Sequence, residues 1–192
     1  AHSITRSSGS ASNSSALPTT RVDSATRARA AVCCAGCSRI AATRTAGGRR
    51  NGKLSGWHPA DLAAQVLDEL IRRTGADPAL VEDVIMGCVG QAGEQAVNIA
   101  RNAVMASSLP ESVPATSVDR QCGSSQQSAA FAAQGVMAGA YDIAVAAGVE
   151  VMSLVWMGAS AMVDNVGAPF GPLMGLRYAD QGGLIPQGLS AE

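Results

Sequence analysis

The chain has few aromatic residues, almost no net charge and no uninterrupted apolar run long enough to span a membrane. Aromatics make up 3% of its 192 residues, although 47% are hydrophobic. The apolar content is therefore mostly Ala, Val, Leu and Met, with 21 Gly, which suits closely packed helices and strands. The formal charge is −1, so nothing in the overall balance favours nucleic acid or a membrane surface as a partner. The longest apolar stretch, Ala129 to Met162, is interrupted by Gln134, Asp142 and Glu150. It reads as a buried helix plus strand rather than a membrane span. Neither a phosphate-cradling P-loop nor a GxGxxG turn occurs. No signal peptide is expected, since the start is Ser-rich and lacks an apolar segment.

The charge that is present is divided. Residues 1–50 hold eight Arg and one acid, Asp23, for a net +7; the remainder holds six basic residues and fourteen acids, for −8. That division reads as a tail plus a body. Residues 1–50 show no sustained helix or strand period, so little order is expected there. Three readings stand open for this segment: an organelle transit peptide, a solvated tail, or coding sequence read in a wrong frame.

Five cysteines is an odd number: Cys33, Cys34 and Cys37 in the tail, Cys88 and Cys122 in the body. Free thiols in a reducing, cytosol-like compartment are the expectation. Cys33-Cys34-x-x-Cys37 has no second Cys or His pair near it, so no metal site is expected.

The body starts near Asn51. His58-Pro59-Ala60-Asp61 is a helix start, and Leu62, Val66, Leu67, Leu70 and Ile71 follow at helical spacing until Gly75. Val84 to Val89 reads as a short buried strand, and Ala96 to Ser107 as a helix. Val113 to Val118 alternates like a strand, and Gly123 to Gly139 is a helix of small residues. Its Gly135-x-x-x-Gly139 spacing fits a soluble helix packed tightly on a sheet. Ile143 to Val149 is a strand buried on both faces. Helix and strand alternate, which predicts an α/β fold, a mostly parallel sheet with helices on both faces. Residues 158–192 lose periodicity and read as an excursion loop. No internal repeat is visible.

One residue carries a chemical question. Cys122, in Val118-Asp119-Arg120-Gln121-Cys122-Gly123-Ser124-Ser125, sits where a strand hands over to a helix. Unpaired amides at a helix start stabilise a thiolate and can hold an oxyanion. Gly123 removes a side chain that would block approach. Two readings remain at this point: a nucleophile on a strand–turn–helix corner, or a small cysteine capping a helix.

Asp119 to Gln127, DRQCGSSQQ, resembles the acylatable-cysteine motif of the thiolases, the acetyl-CoA C-acyltransferases. Asn51 to Gly56, Val84 to Val89, Asn98 to Arg101 and Gly148 to Ser153 stand in the order of a thiolase amino-terminal half. Gly188 to Glu192 resembles a motif at the far side of that family's loop domain. The resemblance covers about residues 50 to 192. It implies an incomplete thiolase-like layered domain over residues 51–157 and the start of a loop domain over 158–192. It also implies acyl transfer between CoA thioesters, with Cys122 as the acyl-accepting nucleophile, acyl-CoA and coenzyme A as substrates and no permanently bound cofactor or metal. The resemblance also implies homo-oligomers; the location expected from the free thiols is cytoplasmic, or mitochondrial or other organellar if residues 1–50 are a transit peptide.

The family also uses a histidine in Gly-His-Pro, a second cysteine in Cys-x-Gly and an Asn-Glu-Ala-Phe box, none of which occurs in this sequence. His58, in Gly-Trp-His-Pro, precedes the nucleophile at a helix start and is not read as the base. Cys88 is read as a buried structural thiol. The head, Arg44-Thr45-Ala46-Gly47-Gly48-Arg49-Arg50, keeps only an echo of the family's opening, with no clean first strand before it. The expectation is a chain that keeps the nucleophile, does not turn over alone and tends to aggregate through exposed edges and apolar faces. Two alternatives are a ketoacyl synthase type of condensing enzyme and a non-catalytic remnant that pairs with an intact thiolase.

Overall fold

A computed structural model describes the backbone of residues 27–34 and the whole of residues 41–191. The expectation of little order therefore lies outside the described residues for 1–26 and 35–40. The side chains of Cys33, Cys34 and Cys37 lie outside them as well.

Five strands form one sheet in the order β2-β1-β5-β3-β4. They are β1 (Arg27–Cys34), β2 (Ala42–Arg44), β3 (Asp83–Gly87), β4 (Ala115–Val118) and β5 (Ile143–Glu150). β3 pairs parallel with both β4 and β5. β1 runs antiparallel to β2 on one side and to β5 on the other. Two strands thus lie inside the stretch that showed no strand period, which corrects the reading of residues 1–50 as wholly tail. The local signal is weak because Ala and Arg dominate β1, and Ala has little strand preference. Pairing with β5 along its whole length supplies what the local sequence does not.

The two faces of the sheet differ. Helices α1 (Pro59–Thr74) and α2 (Ile99–Ala106) cover one face. There Leu62, Val66, Leu67 and Leu70 of α1 pack with Ile99, Ala103 and Val104 of α2 on Val84, Met86, Val145 and Val149. Each large aliphatic side chain buried in this way contributes about 1.5–3 kcal/mol. α1 is bounded as its sequence demands. His58 caps its start, with Nδ1 accepting from the Ala60 amide at 3.3 Å, and Pro59 occupies the first turn. Gly75, at φ 63°, ends it.

Helix α3 (Ser124–Met137) covers the other face, over a small cluster of Ile85, Ala132, Ala144 and Ala146. Ser124, Ser128 and Ala132 form its buried stripe, spaced one turn apart. Gly135 explains part of the close fit. A Cβ there would lie 2.4 Å from the Tyr141 ring, whose hydroxyl donates to Asp83 Oδ2 at 2.8 Å. That bond to Asp83 raises the Tyr141 pKa.

After β5 the chain forms only short helices, including α4 (Pro172–Arg177) and α5 (Gln187–Ser190). Met157, Met162, Val166, Phe170 and Leu173 are exposed along this stretch. Among the described residues, no helix is long and apolar enough to cross a membrane.

Candidate active site

β4 ends at Val118, and α3 begins at Ser124. The turn between them is held from three directions. Asp119 Oδ1 accepts the Gln121 amide at 2.8 Å. The Gly123 amide donates to the Arg120 carbonyl, and the Ser124 amide to the Gln121 carbonyl, both at 3.0 Å. The buried Ser124 hydroxyl accepts from the Arg120 amide at 2.9 Å and donates to the Gln121 carbonyl at 2.6 Å. The Arg120 guanidinium also donates to the Gln127 carboxamide. Within this knot Gln121 adopts φ 42°, a left-handed conformation uncommon for a residue with a side chain. The next residue, Cys122, emerges exposed with a free thiol.

The helix start is seated on the sheet by two glycines. Gly87 of β3 and Gly148 of β5 are paired in register at the carboxyl ends of their strands. A Cβ at Gly148 would lie 1.8 Å from Ser125 Oγ; one at Gly87 would lie 2.3 Å from the Ser125 amide nitrogen. Any side chain at either position would push the first turn of α3 off the sheet. Ser128 adds a buried tie, donating from Oγ to the Ala147 carbonyl at 2.8 Å. The cysteine, two residues before Ser124, is placed by these contacts. The roles of Gly87 and Gly148 are not apparent from the sequence reading. The available signal is a glycine near the end of each of two apolar strand runs.

A second network fixes the neighbouring strand ends. The Glu150 carboxylate accepts the Val89 and Gly90 amides at 2.9 and 3.1 Å and the Gln95 carboxamide at 3.0 Å. Gln95, fully buried, also accepts the Val151 amide at 2.7 Å. Asn98 and Arg101 are structural. Asn98 caps α2 and reaches Ala115 and Ser117 of β4. Arg101 donates to the carbonyls of Glu111 and Val113, both at 2.7 Å, and so anchors the approach to β4.

The other described thiol is of a different kind. Cys88 is 1% exposed. Burial pushes its pKa up to about 12, assisted by the negative charges of Glu150 and Asp119. A thiol held neutral and enclosed is not a nucleophile near neutral pH. His58 is occupied as the α1 cap, and α1 lies on the face of the sheet opposite α3. Among the described residues no group of three or more His, Cys, Asp or Glu is placed to hold a metal ion. An open cleft of about 850 Å³ runs beside α3, lined in part by Thr43, Arg44, Ser125, Gln126 and Ala146, and does not include Cys122. The exposed thiol lies at the cysteine corner, which makes that corner, rather than the cleft, the candidate site.

Cys122 is thus an exposed thiol just before a helix start that small residues seat on two strand ends. Comparison with known proteins gives the family. Residues 39–189 match the family described as Thiolase, N-terminal domain, so the match starts upstream of Asn51. A steroid 3-ketoacyl-CoA thiolase of Mycobacterium tuberculosis is 52% identical over 132 residues, 69% of this chain and 32% of that protein. A 3-ketoacyl-CoA thiolase of Bacillus subtilis is 41% identical over 119 residues, 62% of this chain and 30% of that protein. Among solved structures, the Bacillus anthracis acetyl-CoA acetyltransferase aligns with a TM-score of 0.51 and 32% identity. That alignment covers 69% of this chain and 29% of the solved one. The chain spans about a third of the length of the curated relatives it matches. Its α/β fold, its motifs and this match together make the chain a member of the thiolase family, over the amino-terminal domain.

Proposed function

We propose that the chain takes part in acyl transfer between CoA thioesters, with Cys122 as the residue that accepts the acyl group. The Cys122 thiolate attacks the 3-oxo carbonyl of a 3-oxoacyl-CoA. The bond between the second and third carbons breaks, and the electron pair leaves on acetyl-CoA, which takes up a proton. The thiol of a coenzyme A molecule then displaces the acyl group from Cys122 and regenerates the thiol. Covalent capture divides one difficult carbon–carbon step into two easier ones. The Gly123 and Ser124 amides are bonded within the turn, so the oxyanion donors in this reading are the next amides of the first helical turn, those of Ser125 and Gln126.

The observation that carries this reading is the exposed Cys122 thiol on a turn held by Asp119 and Ser124. Capture is proposed to outrun release. His58 is engaged elsewhere and Cys88 is buried, so neither is placed to act as base for the second half of the cycle. The test is rapid-mixing kinetics with acetoacetyl-CoA. A burst of acetyl-CoA, no larger than one per chain and absent in Cys122→Ser, is the expected result. Steady turnover in Cys122→Ser would overturn the assignment of the nucleophile. Wild-type turnover at the rate of an ordinary enzyme would overturn the order of capture and release. The same reading places the protein as a homo-oligomer in a reducing, cytosol-like compartment. Light scattering tests the first of these, and a monomer at every concentration counts against it.

A further inference from the structure

The left-handed Gln121 is the feature of this corner that the reaction alone does not explain. Glycine adopts φ 42° without penalty; glutamine does so only when its surroundings hold it there. Three bonds converge on that one residue, on the two peptide groups that flank its Cα. Asp119 Oδ1 takes the Gln121 amide at 2.8 Å. Its carbonyl receives the Ser124 hydroxyl at 2.6 Å and the Ser124 amide at 3.0 Å. The Ser124 hydroxyl holds the preceding amide, of Arg120, at 2.9 Å. Ser124 is itself fixed, being 4% exposed on a helix turn seated against Gly87 and Gly148.

We propose that Ser124 is a positioning residue for Cys122, its buried hydroxyl locking Gln121 in the left-handed conformation that presents the thiol at the helix start. Asp119 is the second restraint on the same residue, acting through its amide. Ser124 does not touch the acyl group; it acts through the backbone of Arg120 and Gln121. This role rests on the assignment of Cys122 as the acyl acceptor, but it concerns the presentation of the thiol and is measurable without any thioester.

The measurement is the second-order rate of alkylation of Cys122 by iodoacetamide in the full chain, followed across pH and located by peptide mapping. Ser124→Ala is expected to lower the plateau rate at alkaline pH by about tenfold, through loss of the two hydrogen bonds its hydroxyl makes. In a Gln121→Gly background the same substitution is expected to have little effect, because glycine needs no lock to hold a positive φ. Asp119→Ala, at an exposed position, is expected to lower the rate about threefold, while Asp119→Asn retains the acceptor and most of the rate. Asp119 is on the surface, so this arm reads out even if Ser124→Ala fails to fold. An unchanged plateau in Ser124→Ala, or the same loss with and without Gln121→Gly, would overturn the proposal and leave Ser124 a purely structural residue. Equal rates for Asp119→Ala and Asp119→Asn would remove Asp119 from it. If alkylation follows these expectations but acetoacetyl-CoA never acylates Cys122, the positioning device stands and the acyl-transfer reading fails.

Discussion

The two faces of the sheet are built on opposite plans. On the α1–α2 face, long aliphatic side chains interlock: Leu67, Leu70, Met86, Ile99 and Val104 are all buried. On the α3 face the contacts are made by Ser124, Ser128, Ala132, Ala144 and Ala146, with Gly87 and Gly148 leaving room for backbone. The first face stabilises by area. The second buries little but brings a helix start within van der Waals reach of two strand ends. Its thiol is accessible, whereas the thiol of the first face, Cys88, is sealed. Most of the aliphatic packing and the accessible thiol thereby lie on different sides of one sheet, linked through β3 and β5.

The largest expected effect lies on the packed face. Leu67→Ala should cost about 3 kcal/mol by denaturant unfolding, through lost burial and the cavity left behind. It should leave the alkylation rate of Cys122 in the folded fraction unchanged. Next comes Gly148→Ala. The added Cβ meets Ser125 Oγ, so a cost of about 2 kcal/mol is expected together with a sharp drop in Cys122 reactivity. If Leu67→Ala silences the thiol and Gly148→Ala does not, the division between the faces is wrong.

A smaller effect concerns pH. The Cys88 thiol titrates near 9.0 when unfolded and near about 12 when buried. The folded value is the higher one, so the stabilising contribution is complete below pH 9 and is lost as pH rises from 9 towards 12. The unfolded chain releases its proton over that range while the folded chain retains it. Cys88→Ala, measured against wild type, should lose stability less steeply with pH in that window. Parallel slopes would mean that Cys88 is not sealed. The smallest effect is expected at Phe131 on the outer side of α3, which is 44% exposed; Phe131→Ala should change stability by less than about 1 kcal/mol.

Much of this arrangement is legible in the amino-acid sequence alone. The helical spacing of Leu62, Val66, Leu67 and Leu70 defines α1 and its buried side, and His58-Pro59 and Gly75 mark its ends. The apolar run from Ile143 marks β5, and the small residues after Cys122 mark a tightly packed α3. What escapes are features set by pairing between distant segments. β1 is dominated by Ala and Arg, shows no sustained alternation that marks a strand, and is defined by its partners β2 and β5. The sheet is parallel only across β4, β3 and β5 for the same reason. Gly87 and Gly148 look ordinary singly; they matter because the register sets them side by side beneath Ser125. Cys122 is the proposed acyl acceptor because its neighbours carry the motif. Ser124 and Asp119 are visible only as parts of that motif, since their bonds depend on the fold of the turn.

The most direct test of the account is to expose the intact chain to acetoacetyl-CoA, quench it and map where acetyl groups reside by mass spectrometry. The account predicts a hydroxylamine-labile acetyl thioester on Cys122 and none on Cys88. Acetylation at Cys88, or an unmodified Cys122 that still alkylates readily, would contradict it.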